Sequence, residues 1–193
     1  MKIIGLTGAS GSGKTSVGAI LAARGGYIID ADKVARDVMK PGEPALDEIV
    51  RRFGSAALKD GELDRRALGE LVFFDADSLR DLNDITHKYI LSEIYNELER
   101  VKNEGEYEFI AIDAPLLVET GLHKAVDEIW LIRAARETSI KRVTERDDIT
   151  DELAGARLDA RSRLDEIERM ASKIIDNSGD LERLEKLVDE CLG

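Results

Sequence analysis

The sequence predicts an α/β fold, a parallel sheet of about five strands in line with ordinary sheet sizes, covered by helices on both faces. Three observations carry this expectation. Short apolar runs alternate with amphipathic stretches along the chain, the pattern of strands joined by helical crossovers. The first apolar run passes directly into a glycine-rich loop and then into an amphipathic stretch, the order of strand, anion-binding turn and helix. A long block of helical periodicity interrupts the alternation and reads as an insertion or side domain.

Residues 2–7 are apolar and bounded by glycine, as a buried strand is. Residues 13–24 place Val17, Ile20, Leu21 and Ala22 on an amphipathic helix, and Gly25-Gly26 ends it. Tyr27-Ile28-Ile29 makes a second strand that runs into Asp30. A helix over 33–39 follows, and Lys40-Pro41-Gly42-Glu43-Pro44 is a turn-rich break. From 45 to about 104 the pattern is helical. Leu46, Ile49, Val50 and Phe53 share one face, and Leu68, Leu71, Val72 and Phe73 form a second cluster. Leu79, Leu82, Ile85, Ile90, Ile94 and Leu98 continue the helical spacing. Residues 109–113 form a strand stopped by Pro115, and 128–132 another. Arginine-rich helical sequence fills 134–169, 173–175 is a short last strand, and 181–192 a last helix.

Composition excludes several functions. The chain has 193 residues, 43% of them hydrophobic and 35% charged, which supports a buried core under a solvated surface. No apolar run approaches the roughly 20 residues of a membrane helix, so no membrane partner is expected. The N-terminus carries no signal-peptide core or cleavage site, and a cytoplasmic location is the expectation. The net charge of −12 argues against nucleic acid as a partner, because that needs a basic stripe. Cys191 is the only cysteine, so it forms no internal disulfide and reads as a small apolar residue of the last helix. His87 and His123 are isolated in sequence and offer no zinc pattern. No sequence feature specifies the oligomeric state.

Gly8-Ala9-Ser10-Gly11-Ser12-Gly13-Lys14-Thr15 matches the phosphate-binding loop GxxxxGK[ST] at every fixed position. Glycines let the backbone curl so that N–H groups point at phosphate oxygens, and the helix N-terminus adds its positive end. Gly11, Ser12, Gly13, Lys14, Thr15 and Ser16 are therefore the candidate ATP-binding residues. Lys14 reaches the β- and γ-phosphates, and the Thr15 hydroxyl is placed to ligate Mg2+. The loop alone serves kinases, ATPases and GTPases alike.

Candidate partners for this loop sit beyond the strand ends, where ligands bind in open parallel sheets. Asp30 and Asp32 follow the second strand; either could orient a substrate hydroxyl or hold the metal through water, and either could simply cap the next helix. Asp113 ends the strand over 109–113, the usual place of a supporting acid near the metal, although a turn aspartate before Ala114-Pro115 fits as well. Arg142, Arg146 and Arg157 lie in a charge-dense stretch; they suit a transition state rich in negative charge, and equally a solvated face.

Taken together, the order of motifs resembles the dephospho-CoA kinase family along essentially the whole chain. The matching segments are IGLTGASGSGKTSV, IIDADKVARDV, Phe53-Gly54, DGELDRRALGELVF, LNDITH, DAPLLVE, RVTERD and IIDNSG. The resemblance implies a parallel-sheet P-loop kinase fold with a helical acceptor-binding insertion and a short lid. It implies transfer of the ATP γ-phosphate to the ribose 3′-hydroxyl of dephospho-CoA, the last step of coenzyme A synthesis, with Mg2+. Asp32 would be the base for the 3′-hydroxyl and Asp30 its support. Arg65 and His87 would belong to the acceptor site, Arg142, Arg146 and Arg157 to the lid, and Asn177 to the loop near adenine. The core would be 1–44, 105–140 and 171–193, the acceptor region 45–104 and the lid 141–170.

Some positions depart from the family pattern, among them Ala9-Ser10, which replaces the commoner Gly-Ile at loop positions the motif leaves free. Lys88 stands after His87 where the family usually has proline, which would let a helix run through that point. Arg161 stands where the family usually has glutamine. Two other readings share the phosphate loop: a kinase for another small molecule, such as a nucleoside or sugar, and a nucleotide-dependent regulatory switch.

Overall fold

The chain is described from a computed structural model that covers residues 1–73, 75–159 and 164–193. It divides into two compact units, residues 1–29 with 101–193, and Asp30–Arg100.

The first unit is built on β1 (Lys2–Thr7), α1 (Lys14–Ala23) and β2 (Gly26–Asp30), the last residue of which already belongs to the second unit. Its strands from the second half of the chain are β5 (Phe109–Asp113), β6 (Glu128–Arg133) and β7 (Lys173–Asp176). The sheet order is β2-β5-β1-β6-β7, and β1 pairs parallel with both β5 and β6. Alternate residues of these strands point to one face: Ile4 and Leu6, Phe109 and Ala111, Trp130 and Ile132. They pack against Val17, Ile20 and Leu21 of α1 and Leu184 and Val188 of α9 (Leu181–Leu192), so the apolar stripe of each helix is what the sheet buries. The intervening residues Ile3, Ile110, Ile112 and Leu131 are buried as well. Burial on both faces explains why these strands read as continuous apolar runs. Cys191 packs at the edge of this core, and burial pushes its thiol above the ordinary range.

The arginine-rich stretch folds as three helices, α6 (Arg136–Asp147), α7 (Asp151–Asp159) and α8 (Leu164–Met170). Asp148 breaks the first from the second by taking the left-handed conformation, φ 51°. Val143, Ala154 and Leu158 form a small core of their own between α6 and α7. Arg161 lies outside the described residues.

The second unit holds α2 (Ala31–Asp37), α3 (Pro44–Phe53), α4 (Arg65–Phe73) and α5 (Ala76–Glu104, which continues beyond it). The expected acceptor region began at residue 45, whereas the compact unit begins at Asp30 and so takes in α2 and the Lys40–Glu43 turn. Its core joins Val38, Met39, Ala45, Ile49, Ala57, Leu68 and Val72 to Leu82, Ile85 and Ile90 of α5.

The uninterrupted helical reading of 45–104 needs correction. Leu58–Lys59 (β3) and Glu62–Leu63 (β4) form an antiparallel hairpin. The Asp60-Gly61 turn between them has φ 53° and 83°, the pair of positive values that a two-residue hairpin loop demands. The second expected cluster is also split: Leu68 and Val72 are buried, but Leu71 and Phe73 are exposed. Helix α5 runs 29 residues straight through Lys88, as the absence of proline allows. Lys88 Nζ donates to both Glu48 oxygens, at 2.9 and 2.8 Å, which ties α5 to α3.

Candidate active site

The phosphate loop joins β1 to α1 in the first unit, and its shape follows from where its neighbours sit. Gly11 (φ 75°) and Gly13 (φ 90°) both hold left-handed conformations. A side chain on Gly11 would also collide with the Ser139 carbonyl of α6, and one on Gly13 with the Asn177 amide. Gly13 is a fixed glycine of the motif; Gly11 occupies a position the motif leaves free, and α6 makes glycine necessary there.

The loop presents donors. The backbone N–H groups of Gly11, Gly13 and Thr15 take no partner among the described residues. Gly13 precedes the first turn of α1, so the helix N-terminus and these amides offer their positive ends together. Lys14 Nζ folds back to donate to the Gly8 carbonyl at 3.0 Å and the Ala9 carbonyl at 3.5 Å. Thr15 and Ser16 are exposed on the first turn. Ser12 is different: its side chain is buried and its carbonyl accepts from Asn177 Nδ2 at 2.9 Å. Asn177 is itself buried just after β7, and its own N–H donates to the Arg133 carbonyl at 2.7 Å. The expected adenine-loop residue thus braces the phosphate loop from behind.

Asp113 ends β5, and its backbone pairs in register with Leu6 of β1. Its side chain is half-buried, one strand away from the phosphate loop.

Two arginines of the expected lid reach the loop. Arg142 Nη1 donates to the Gly11 carbonyl at 3.4 Å, and Arg146 Nη2 to Ser10 Oγ at 3.3 Å. Arg157, on α7, reaches Asp147 Oδ2 at 2.6 Å. Arg142 is half-buried, while Arg146 and Arg157 are exposed. Asp147 closes the matching RVTERD segment, yet sequence reasoning assigned it no separate role; its carboxylate holds two of these arginines.

In the second unit, Asp30 caps α2 by accepting from the Lys33 N–H at 2.9 Å. Asp32, in the first turn of that helix, is exposed and has no hydrogen-bond or ion-pair partner among the described residues. Arg65 and His87 come together on one cavity of about 300 Å³. Ala35, Met39, Leu63, Leu68 and Ile90 give it an apolar lining, and Asn83 and Thr86 add polar groups. An apolar concavity with a few polar groups is what small-molecule recognition uses.

The donor set suits magnesium better than a metal that needs a protein cage. No cluster of three or more His, Cys, Asp or Glu residues able to hold a metal occurs among the described residues. Magnesium keeps several waters and binds through one or two protein oxygens and substrate phosphates, which the Thr15 hydroxyl and Asp113 carboxylate can supply.

The family model described as dephospho-CoA kinase matches residues 2–183. A dephospho-CoA kinase of Symbiobacterium thermophilum is 41% identical over 190 residues, 98% of this chain and 79% of the relative. A solved structure from Thermus thermophilus superposes with a TM-score of 0.84 at 33% identity, covering 99% of this chain and 96% of that one. The dephospho-CoA kinase structure from Campylobacter jejuni gives a TM-score of 0.73 at 27% identity, covering 100% and 96%.

Proposed function

The chain belongs to the dephospho-CoA kinase family, and from that premise we infer that it transfers the γ-phosphate of ATP to the ribose 3′-hydroxyl of dephospho-CoA, giving coenzyme A. The observation that carries this reading is the family match over nearly the whole chain, helical unit included, since the phosphate loop alone would fit many enzymes.

The residues divide the work as follows. The amides of Gly11, Gly13 and Thr15 take phosphate oxygens at the positive end of α1. Lys14 exchanges the Gly8 and Ala9 carbonyls for the β- and γ-phosphates. Ser12 and Asn177 keep the loop in shape. Thr15 would supply a hydroxyl, and Asp113 a carboxylate through water, to Mg2+, which would supply neutralisation of the phosphate charge. Arg142 and Arg157 stabilise the charge that spreads over the transferring group. Asp32 accepts the proton of the 3′-hydroxyl, and Asp30 fixes the start of the helix that carries Asp32. Arg65 and His87 hold the acceptor in the cavity of the second unit. A cytoplasmic location and the absence of a nucleic-acid or membrane partner complete the reading. No helix among the described residues is long and apolar enough to cross a membrane.

Incubation with Mg·ATP, with and without dephospho-CoA, tests the proposal. Coenzyme A should appear in step with ADP, and nucleosides or sugars should not replace the acceptor. ATP consumption that ignores dephospho-CoA would favour a regulatory switch, and transfer to another alcohol would favour a different small-molecule kinase.

A further inference from the structure

Asp147 is the last residue of α6, and its carboxylate is shared between two helices. Oδ1 accepts from Arg146 Nε at 2.8 Å and Oδ2 from Arg146 Nη2 at 3.0 Å. Oδ2 also accepts from Arg157 Nη1 at 2.6 Å, across the reversal from α6 to α7. The reversal is stapled a second time where Thr144 Oγ1 donates to Asp151 Oδ1 at 2.9 Å. The Arg146 side chain is 61% exposed and that of Arg157 55%, so packing does not fix either guanidinium. The Asp147 side chain is only 24% exposed and makes the firmer end of each pair.

We propose that Asp147 is a positioning residue for phosphoryl transfer, holding the Arg146 and Arg157 guanidiniums together beside the phosphate loop so that both meet the transferring phosphate already oriented. The proposal rests on the kinase reading above. Arginine side chains carry much rotamer freedom, and a partner that fixes the fork before substrate arrives removes that cost from the reaction. The Arg146 hydrogen bond, followed by the charges of Arg146 and Arg157, holds the Asp147 carboxyl below its ordinary range, so the anchor is ionised throughout the neutral range. Arg146 also reaches Ser10 Oγ, which brings the anchored pair to the loop itself.

The arrangement has a cost that makes it testable. Asp147 subtracts a negative charge from the arginine cluster, and in a protein of net charge −12 that weakens attraction for ATP. Asp147→Asn restores that attraction and weakens the anchor, because one acceptor oxygen becomes an amide NH2 that faces a guanidinium donor and the charge is lost. A positioning role therefore predicts a split: ATP binds at least as tightly, while kcat falls by about ten- to a hundredfold. Asp147→Glu, which keeps the charge, should recover part of kcat. In an Arg157→Ala background the Asp147→Asn change should cost less than it does alone. The melting temperature should hardly move, since exposed ion pairs contribute little.

ATP affinity by calorimetry, kcat with dephospho-CoA and thermal melting of the full chain decide the matter. Wild-type kcat in Asp147→Asn overturns the proposal. So does an equal loss of ATP affinity and kcat with a lowered melting temperature, the mark of a structural role. A gain in kcat overturns it too, because the carboxylate would then be a latch. Inactivity of the wild-type protein toward dephospho-CoA sinks the parent reading instead, and the two failures are distinguishable.

Discussion

Asp30 and Asp32 stand two residues apart with the same side chain, and their surroundings differ. Asp30 spends an oxygen on the Lys33 N–H and caps α2. Asp32 has no protein partner among the described residues, which is what a group awaiting a substrate hydroxyl requires. Asp32→Asn should therefore keep ATP affinity and slow single-turnover transfer by roughly two to four powers of ten, the usual worth of a general base. A wild-type single-turnover rate would remove Asp32 from the mechanism. Asp30→Ala should instead lower stability by about 1 kcal/mol through the lost cap, read by thermal melting. The residues alone left both roles open for both positions, and the family resemblance implied a base at Asp32 supported by Asp30; what the structure adds is the Asp30 cap, which needs its Lys33 partner to be seen. The phosphate loop was legible at once, since its chemistry is written in contiguous residues. The need for glycine at Gly11 was not, because it comes from the Ser139 carbonyl, far away in sequence.

Elements with a strong local signal were read within a residue or two: β1, β5, β6 and α9 lie close to where apolar pattern placed them. The hairpin at Leu58–Leu63 was passed over, although Asp60-Gly61 is the strongest two-residue turn signal available. Strands of two residues have no room for alternation to show, and the helical pattern on either side dominates any window that contains them. The break between α6 and α7 was hidden for a related reason, since Asp148 in the left-handed region replaces the glycine or proline that would have announced it. Phe73 shows where periodicity misleads: it sits beside Val72 in sequence, yet is 77% exposed. Helix α5 is the element whose behaviour the sequence anticipated by an absence. A proline inside a helix costs about 3 kcal/mol, through a lost hydrogen bond and a clash one turn back. Lys88→Pro should therefore destabilise the protein far more than Lys88→Ala, which loses only the exposed pair with Glu48. Equal melting temperatures for the two variants would mean that α5 tolerates a kink at that point.

The whole molecule carries 40 acidic against 28 basic residues, and the excess governs its response to salt and pH. Contact pairs such as Lys88–Glu48 at 2.8 Å and Arg136–Asp159 at 2.6 Å lie well inside any Debye length, whereas the mutual repulsion of the excess carboxylates acts over longer distances. Raising ionic strength from about 0.01 M to 0.15 M shortens the Debye length from about 30 Å to about 8 Å. Repulsion is screened first, so the melting temperature at pH 7 should rise with salt. The paired carboxylates add to the acid limb, each by little because the pairs are exposed to solvent. Hydrogen bonds from Lys40, Lys88, Arg146 and Arg136 hold Asp37, Glu48, Asp147 and Asp159 respectively below their ordinary ranges. A group depressed in the folded state contributes stability that is fully present above its unfolded pKa, about 4 for a carboxylate. That contribution is lost as pH falls through the lower folded value. Between pH 7 and pH 5 these pairs lose nothing. Nearer the isoelectric point of about 4.7 the repulsion fades as the net charge shrinks. Stability should hold or improve down to roughly pH 5 and fall below roughly pH 4, as the paired carboxylates begin to take up protons. The salt dependence should vanish near the isoelectric point, where there is no excess charge left to screen. Calorimetric scans at two ionic strengths and three pH values separate the two effects. A melting temperature that falls with salt at pH 7 would show that the contact pairs outweigh the long-range repulsion.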